Sequence, residues 1–103
     1  MTLRYLVKVS AGVRGEMLEQ TAFIGRASIQ AVRRYHREYQ KVLRRLEENP
    51  FQFPVDLSID LPDRTYRKAL FAKWFKVIFQ VKGDRVYVDH VIDCRRDPDE
   101  MES

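Results

Sequence analysis

Trp74, Lys76, Gln80 and Tyr87 are placed so that their ring and polar ends share one side of a two-stranded hairpin, and Arg95-Arg96 follows shortly after. Cations interleaved with aromatic rings suit the binding of an anion, either phosphate or carboxylate, through charge-assisted pairs. Each residue also has a plainer reading. Lys76 reads equally as an ordinary lysine on a solvated face. Arg95 and Arg96 read almost as well as surface partners of Asp93, Asp97 or Asp99. The run Arg33, Arg34, Arg37, Lys41, Arg44 and Arg45 fits a solvated helix face, with attraction to phosphate as its alternative. His36 and His90 fall on apolar stripes and read as core or boundary histidines rather than reacting groups. Cys94 is the one cysteine, so neither an intramolecular disulfide nor a zinc spacing is available, and no metal, cofactor or redox role is expected.

The elements that must position these residues start from a turn. Gly83-Asp84 interrupts two β-rich runs and suits a two-residue hairpin loop. That loop sets a register in which Lys82 faces Arg85, Gln80 faces Tyr87, Ile78 faces Asp89, Lys76 faces Val91 and Trp74 faces Asp93. The other side then carries Phe75, Val77, Phe79 and Val81 beside Val86, Val88, His90 and Ile92, an apolar face to be buried against helices. On this register Lys76, Trp74 and Tyr87 look outward and His90 inward. An outward face so rich in aromatics is expected to be covered by a partner.

Upstream, Leu3, Tyr5, Val7 and Val9 alternate with Thr2, Arg4, Leu6 and Lys8, which predicts a strand over 2–9. Ser10 can cap a helix carrying Val13, Met17, Leu18, Ala22 and Ile24 and ending near Gly25. Ser28 can cap a second, on which Ile29, Val32, His36, Tyr39, Leu43 and Leu46 recur at spacings of three and four up to Asn49-Pro50. Pro50, Pro54 and Pro62 mark an irregular connection to a strand over 66–71. The expected fold is α+β: an N-terminal strand, an αα-hairpin, then a three-stranded antiparallel meander, with the helices on one face of a mainly antiparallel four-stranded sheet. The 103 residues suit a single domain over 1–98 followed by an acidic tail over 99–103. The net charge of +4 understates the basic character, because Asp97, Asp99, Glu100 and Glu102 contribute four negative charges; without them residues 1–96 stand at +8. An acidic partner follows. No apolar run approaches the ~20 residues of a membrane span. With no signal-peptide pattern the chain reads as cytoplasmic.

The strand Phe75-Lys76-Val77-Ile78-Phe79-Gln80-Val81 before Gly83-Asp84, and the ending Val91-Ile92-Asp93-Cys94-Arg95-Arg96-Asp97-Pro98, resemble the RelE/ParE superfamily of bacterial type II toxin–antitoxin toxins. The element order is similar too, although Asp93 stands where that superfamily often has histidine. The resemblance implies two alternative activities. RelE-like members cleave messenger RNA on the ribosome, which requires a proton acceptor, a proton donor and cations for the pentacovalent phosphate. The resemblance places Lys76 at a groove arginine, without the guanidinium fork. Cys94 and Arg95 stand where the YoeB-like branch has histidine and tyrosine, and no equivalent of its glutamate follows Pro54. A nuclease would have to use Lys76, Arg95 and Arg67. These departures favour the ParE-like branch, which implies growth inhibition and plasmid stabilisation through DNA gyrase rather than catalysis. Trp74, Lys76, Gln80, Tyr87, Arg95 and Arg96 would then contact the target or a cognate antitoxin wrapped on as an amphipathic helix or added strand. Ribosome and mRNA as partners, and a non-toxic binding relative on the same scaffold, remain the alternatives.

Overall fold

The computed structural model describes residues 4–59 and 65–96. Thr2 and Leu3 of the expected first strand, Pro62, Asp97-Pro98 and the 99–103 tail lie outside the described residues. Strand β1 (Leu6–Val9) leads through Ser10 into helix α1 (Ala11–Gly25), then helix α2 (Ile29–Glu48) and a 3-10 turn (Pro50–Gln52). Strands β2 (Arg67–Phe71), β3 (Phe75–Lys82) and β4 (Arg85–Asp93) follow, and a second 3-10 turn (Cys94–Arg96) closes the described chain. The sheet order is β1-β4-β3-β2, antiparallel except for the parallel β1–β4 pairing. This is the expected α+β architecture. None of its helices, among the described residues, is long and apolar enough to cross a membrane.

The helix ends differ in how they are held. The Ser28 Oγ accepts the Ala31 amide at 3.1 Å, the side-chain cap that starts α2. Ser10 precedes α1 in an extended conformation but makes no side-chain cap bond; its amide instead donates to the Val88 carbonyl at 2.9 Å, anchoring the helix start to β4. Gly25 closes α1 because the chain turns tightly there. A Cβ at that position would stand 3.3 Å from Val32 Cγ2.

The buried stripe of α2 is Tyr35, Tyr39, Val42 and Leu46, rotated from the expected one; Ile29 is 66% exposed and His36 is also exposed. Tyrosine wins over isoleucine and histidine here because its ring fills the space above the sheet and its hydroxyl finds a partner. The Tyr35 ring lies 5.1 Å from that of Phe71 and 4.8 Å from that of Phe75. Its hydroxyl donates to Gln20 Oε1 at 2.5 Å, and Gln20 Nε2 donates to the Val91 carbonyl at 2.8 Å. Burial, helped by the negative ends of Tyr39, Asp93 and Glu16, pushes the Tyr35 hydroxyl well above the usual phenol range.

The β3–β4 hairpin keeps the expected register only near its tip. Lys82 faces Arg85 and Gln80 faces Tyr87, but beyond Phe79–Val88 a β-bulge inserts one residue, so Ile78 faces His90, Lys76 faces Ile92 and Phe75 faces Asp93. The insertion reverses the faces of the last residues of β4. Val91 joins the core in place of His90, and Asp93 turns inward with only 7% exposure, in the place expected of Ile92. His90, expected inside, is exposed, with Nδ1 3.0 Å from Glu16 Oε2. Glu16 Oε1 accepts the Val91 amide at 3.0 Å. Helix α1 thus hydrogen-bonds the part of β4 that extends past β1.

The far face of the sheet is not the open surface the alternation predicts. Lys76, Ile78 and Gln80 are 2%, 0% and 9% exposed. The connection after the first 3-10 turn runs beside β2, where the Lys68 amide donates to the Pro54 carbonyl and the Asp56 amide to the Tyr66 carbonyl, and from there Asp56 reaches Lys76. Lys76 Nζ lies 3.2 Å from Asp56 Oδ2, and both side chains are almost fully buried. Burial acts to raise the Asp56 carboxyl, but the Ser58 hydroxyl and amide, with the Lys76 ammonium, outweigh it and hold the group below the ordinary carboxylate value.

Candidate functional site

A groove of about 510 Å³ opens where the α1–α2 turn meets the β2–β3 turn and the closing 3-10 turn. Its cations come from four separate places: Arg26 after α1, Arg34 on the first turns of α2, Lys73 between β2 and β3, and Arg95 after β4. Phe23, Ala27, Ala31, Ala72 and Trp74 supply apolar wall. The amino end of the 20-residue α2 lies at Ser28, also on the lining, and adds its partial positive charge.

The Trp74 side of the groove is built rather than left to chance. Ala72 and Lys73 both have left-handed backbones, with φ of 45° and 74°, in a turn where neither is glycine. Such positions cost about 1 kcal/mol or more each and persist where their surroundings fix them. The Trp74 amide donates to the Ala72 carbonyl, and the Trp74 carbonyl accepts the Cys94 amide, each at 2.8 Å. Trp74, 42% exposed, is flanked by the Lys73 ammonium at 5.0 Å and the Arg95 guanidinium at 5.3 Å from its ring centre. Arg95 is held from the other side by Asp93: Nε donates to Oδ1 at 3.2 Å, Nη2 to Oδ2 at 3.1 Å, and the Arg95 amide to Oδ1 at 3.0 Å. The bulge is what makes this pairing available, because it turns Asp93 inward beside Phe75.

The residues singled out from sequence do not gather in one place. Trp74 and Arg95 meet in the groove, and Arg96 is the last residue of the adjoining turn. Gln80 and Tyr87 pair near the hairpin tip, six residues along from Trp74 or about 20 Å at the usual rise of a strand. There Gln80 Nε2 donates to Asp89 Oδ2 at 2.7 Å, and the Lys82 ammonium lies 5.9 Å from the Tyr87 ring centre. Lys76, expected on the solvated face, is corrected to a buried ion pair. Arg67 donates to the Phe53 carbonyl at 2.7 Å and stacks 5.1 Å from the Phe51 ring centre, so Lys76, Arg67 and Arg95 do not converge. Sequence reasoning missed Arg26 and Phe23 altogether and left Arg34 within a solvated run. The one signal for Arg26 is its place just after Gly25 in a helix–helix turn.

A second groove, of about 570 Å³, lies between the start of α1, β1 and α2, with Val9, Met17, Leu18 and Tyr39 on its walls and Arg14 and His36 as its basic groups. It is the less charged of the two. No group of three metal-ligating side chains with metal-site geometry occurs among the described residues.

No protein-family model matches this chain, and no curated protein matches it in sequence. Among solved structures, it is similar to a chain of the "Chromosomal ParDE TA system from P. aeruginosa", with a TM-score of 0.65 and 12% identity over 86% of this chain and 95% of that one. At that identity the likeness is one of fold.

Proposed function

We propose that this protein is the toxin component of a bacterial type II toxin–antitoxin system, restrained by a cognate antitoxin, and ParE-like in inhibiting DNA gyrase by binding rather than by cutting RNA. The fold likeness to a chain of a ParDE TA system supports the general reading. The observation that carries the choice of branch is the state of Lys76. At the position where an RNA-cleaving relative would present a cation to phosphate, this chain has an ammonium 3.2 Å from Asp56 with 3% of its side chain exposed. A cation so enclosed does not meet a transition-state phosphate. Arg26, Arg34, Lys73 and Arg95 instead ring the apolar Trp74 groove, the first three of them exposed, an arrangement suited to a protein partner.

Inducible expression without a partner, a supercoiling assay with purified gyrase and mapping of transcript ends test this together. Growth arrest with inhibited supercoiling and intact transcripts is the expected result. Codon-positioned transcript ends would replace the gyrase reading with the ribosome-dependent one, and normal growth at full expression would remove toxicity.

A further inference from the structure

The Trp74 groove carries more detail about its occupant than a basic surface would. Its four cations stand around a floor where the short side chains of the half-buried Ala31 and Ala72 leave room, and no carboxylate lines it among the described residues. The depression is large enough for a bulky apolar side chain and is bounded by groups that seek anions. The guanidinium fork best suited to phosphate, that of Arg95, is already closed on Asp93 through Nε and Nη2. The Trp74 ring has cations beside it at 5.0 and 5.3 Å, which leaves less of the open flat face a nucleic-acid base would stack on. Arg26, Arg34 and Lys73 are exposed and enter no ion pair with a carboxylate that the structure describes.

We propose that this groove binds an acidic peptide segment of a partner protein, whose one bulky apolar side chain enters between Trp74 and the start of α2 while flanking carboxylates pair with Arg26, Arg34 and Lys73. This inference rests on the reading that the chain acts by binding protein. It deepens that reading by naming what the partner must present. Arg95 acts as a positioning residue, steering Trp74 from its anchor on Asp93.

Trp74 is the chain's one tryptophan, so its emission reports this groove directly. The probe is a synthetic ten-residue peptide of Asp, Glu and Gly with a single central Leu, titrated into the full chain. The expected result is a saturable change in Trp74 emission. Affinity should fall about tenfold when Leu is replaced by Gly in the peptide, and about tenfold in the Arg26→Ala/Arg34→Ala variant. Ala31→Leu, which fills the floor without altering charge, should abolish the preference for the Leu peptide while far-UV circular dichroism stays unchanged. Equal affinity for the peptides with and without Leu overturns the proposal. So does tighter binding of an oligothymidylate of the same charge, or no saturable response. If a variant ending at Arg96 changes Trp74 emission as much as the peptide does, the occupant is the acidic segment of the chain itself and the proposal falls. The titration is independent of growth arrest, so its failure leaves the toxin reading standing, and loss of toxicity leaves the titration standing.

Discussion

Asp56→Ala is the perturbation that most sharply tests the reading of Lys76. The Asp56 side chain is 1% exposed and accepts the Ser58 amide at 3.0 Å, the Ser58 hydroxyl at 2.6 Å and the Lys76 ammonium at 3.2 Å. Removing it takes the facing carboxylate from an ammonium whose side chain is only 3% exposed. Breaking a buried pair from one side costs about 3 kcal/mol or more, because the remaining charge stays desolvated. A domain of this size has roughly 5–15 kcal/mol of stability in all, so a large part of it is lost. The melting temperature should drop by roughly 12–24 °C at ~4–8 °C per kcal/mol. The assay is urea unfolding followed by Trp74 emission and by far-UV circular dichroism. Lys76→Met alone should also destabilise, while Asp56→Ala/Lys76→Met should lose at least about 1 kcal/mol less than the sum of the two single losses. The pH dependence has a fixed sign. The folded carboxyl lies below its unfolded value, so its stabilisation is present above the unfolded value and disappears as pH falls through the folded one. The wild type should therefore weaken below about pH 4, in a limb that Asp56→Asn lacks. Single losses under about 1 kcal/mol, or strict additivity in the double variant, would refute the buried-pair account and return Lys76 to the surface.

The Tyr35→Phe variant leaves the buried Gln20 Oε1 without its donor and should cost about 1–3 kcal/mol by urea titration. Because the folded Tyr35 hydroxyl is raised, its contribution holds below the unfolded phenol value and is lost as pH climbs; the wild type should weaken above about pH 10 in a limb that Tyr35→Phe lacks. Ser28→Ala removes the side-chain cap of α2 and should cost about 1 kcal/mol in the same titration. Lys73→Gly relieves a left-handed backbone and should raise stability by up to about 1 kcal/mol, yet weaken acidic-peptide binding in the Trp74 emission assay. Deleting Asp89 removes the extra residue of the bulge and leaves the Ile78–His90, Lys76–Ile92 and Phe75–Asp93 pairs in place, so Val91 and Asp93 stay inward and His90 outward. It should therefore cost about 1 kcal/mol in urea unfolding, as Asp89→Ala should, since both lose the 2.7 Å bond from Gln80; a loss of about 3 kcal/mol or more on deletion would refute this register.

The architecture was legible because its strongest signals are local. Gly83-Asp84 set the register of the hairpin tip, Ser28 marked the start of α2, and the strand–helix–helix–strand order needed only periodicity. What periodicity could not weigh was competition among residues of mixed character. Tyr35 and Val42 outrank His36 and Ile29 for the core side of α2, and choosing the latter pair rotates the helix by part of a turn. Arg34 is then read among solvated arginines rather than beside Trp74. The burial of Lys76 was illegible for a different reason. Its partner Asp56 lies in an irregular connection, where no repeat relates sequence position to direction.

The bulge falls between these cases, and it joins the fold to the site. Apolar residues at 86, 88 and 91 carry the inner face, so a spacing of two becomes three at Asp89-His90. Strict alternation instead selects Ile92 and demands a buried His90, and because Val91 and Ile92 are both apolar, hydropathy alone does not choose between the phases. Polar satisfaction does choose. The bulged phase gives Asp93 a bidentate partner in Arg95 and gives the Val91 amide the Glu16 carboxylate, whereas the regular phase buries an imidazole in an apolar layer. Whether the extra residue bulges out or is taken into strict alternation therefore decides whether Asp93 steadies Arg95 against Trp74. The groove's aromatic wall depends on a register shift in β4 as directly as on the identity of the residues that line it.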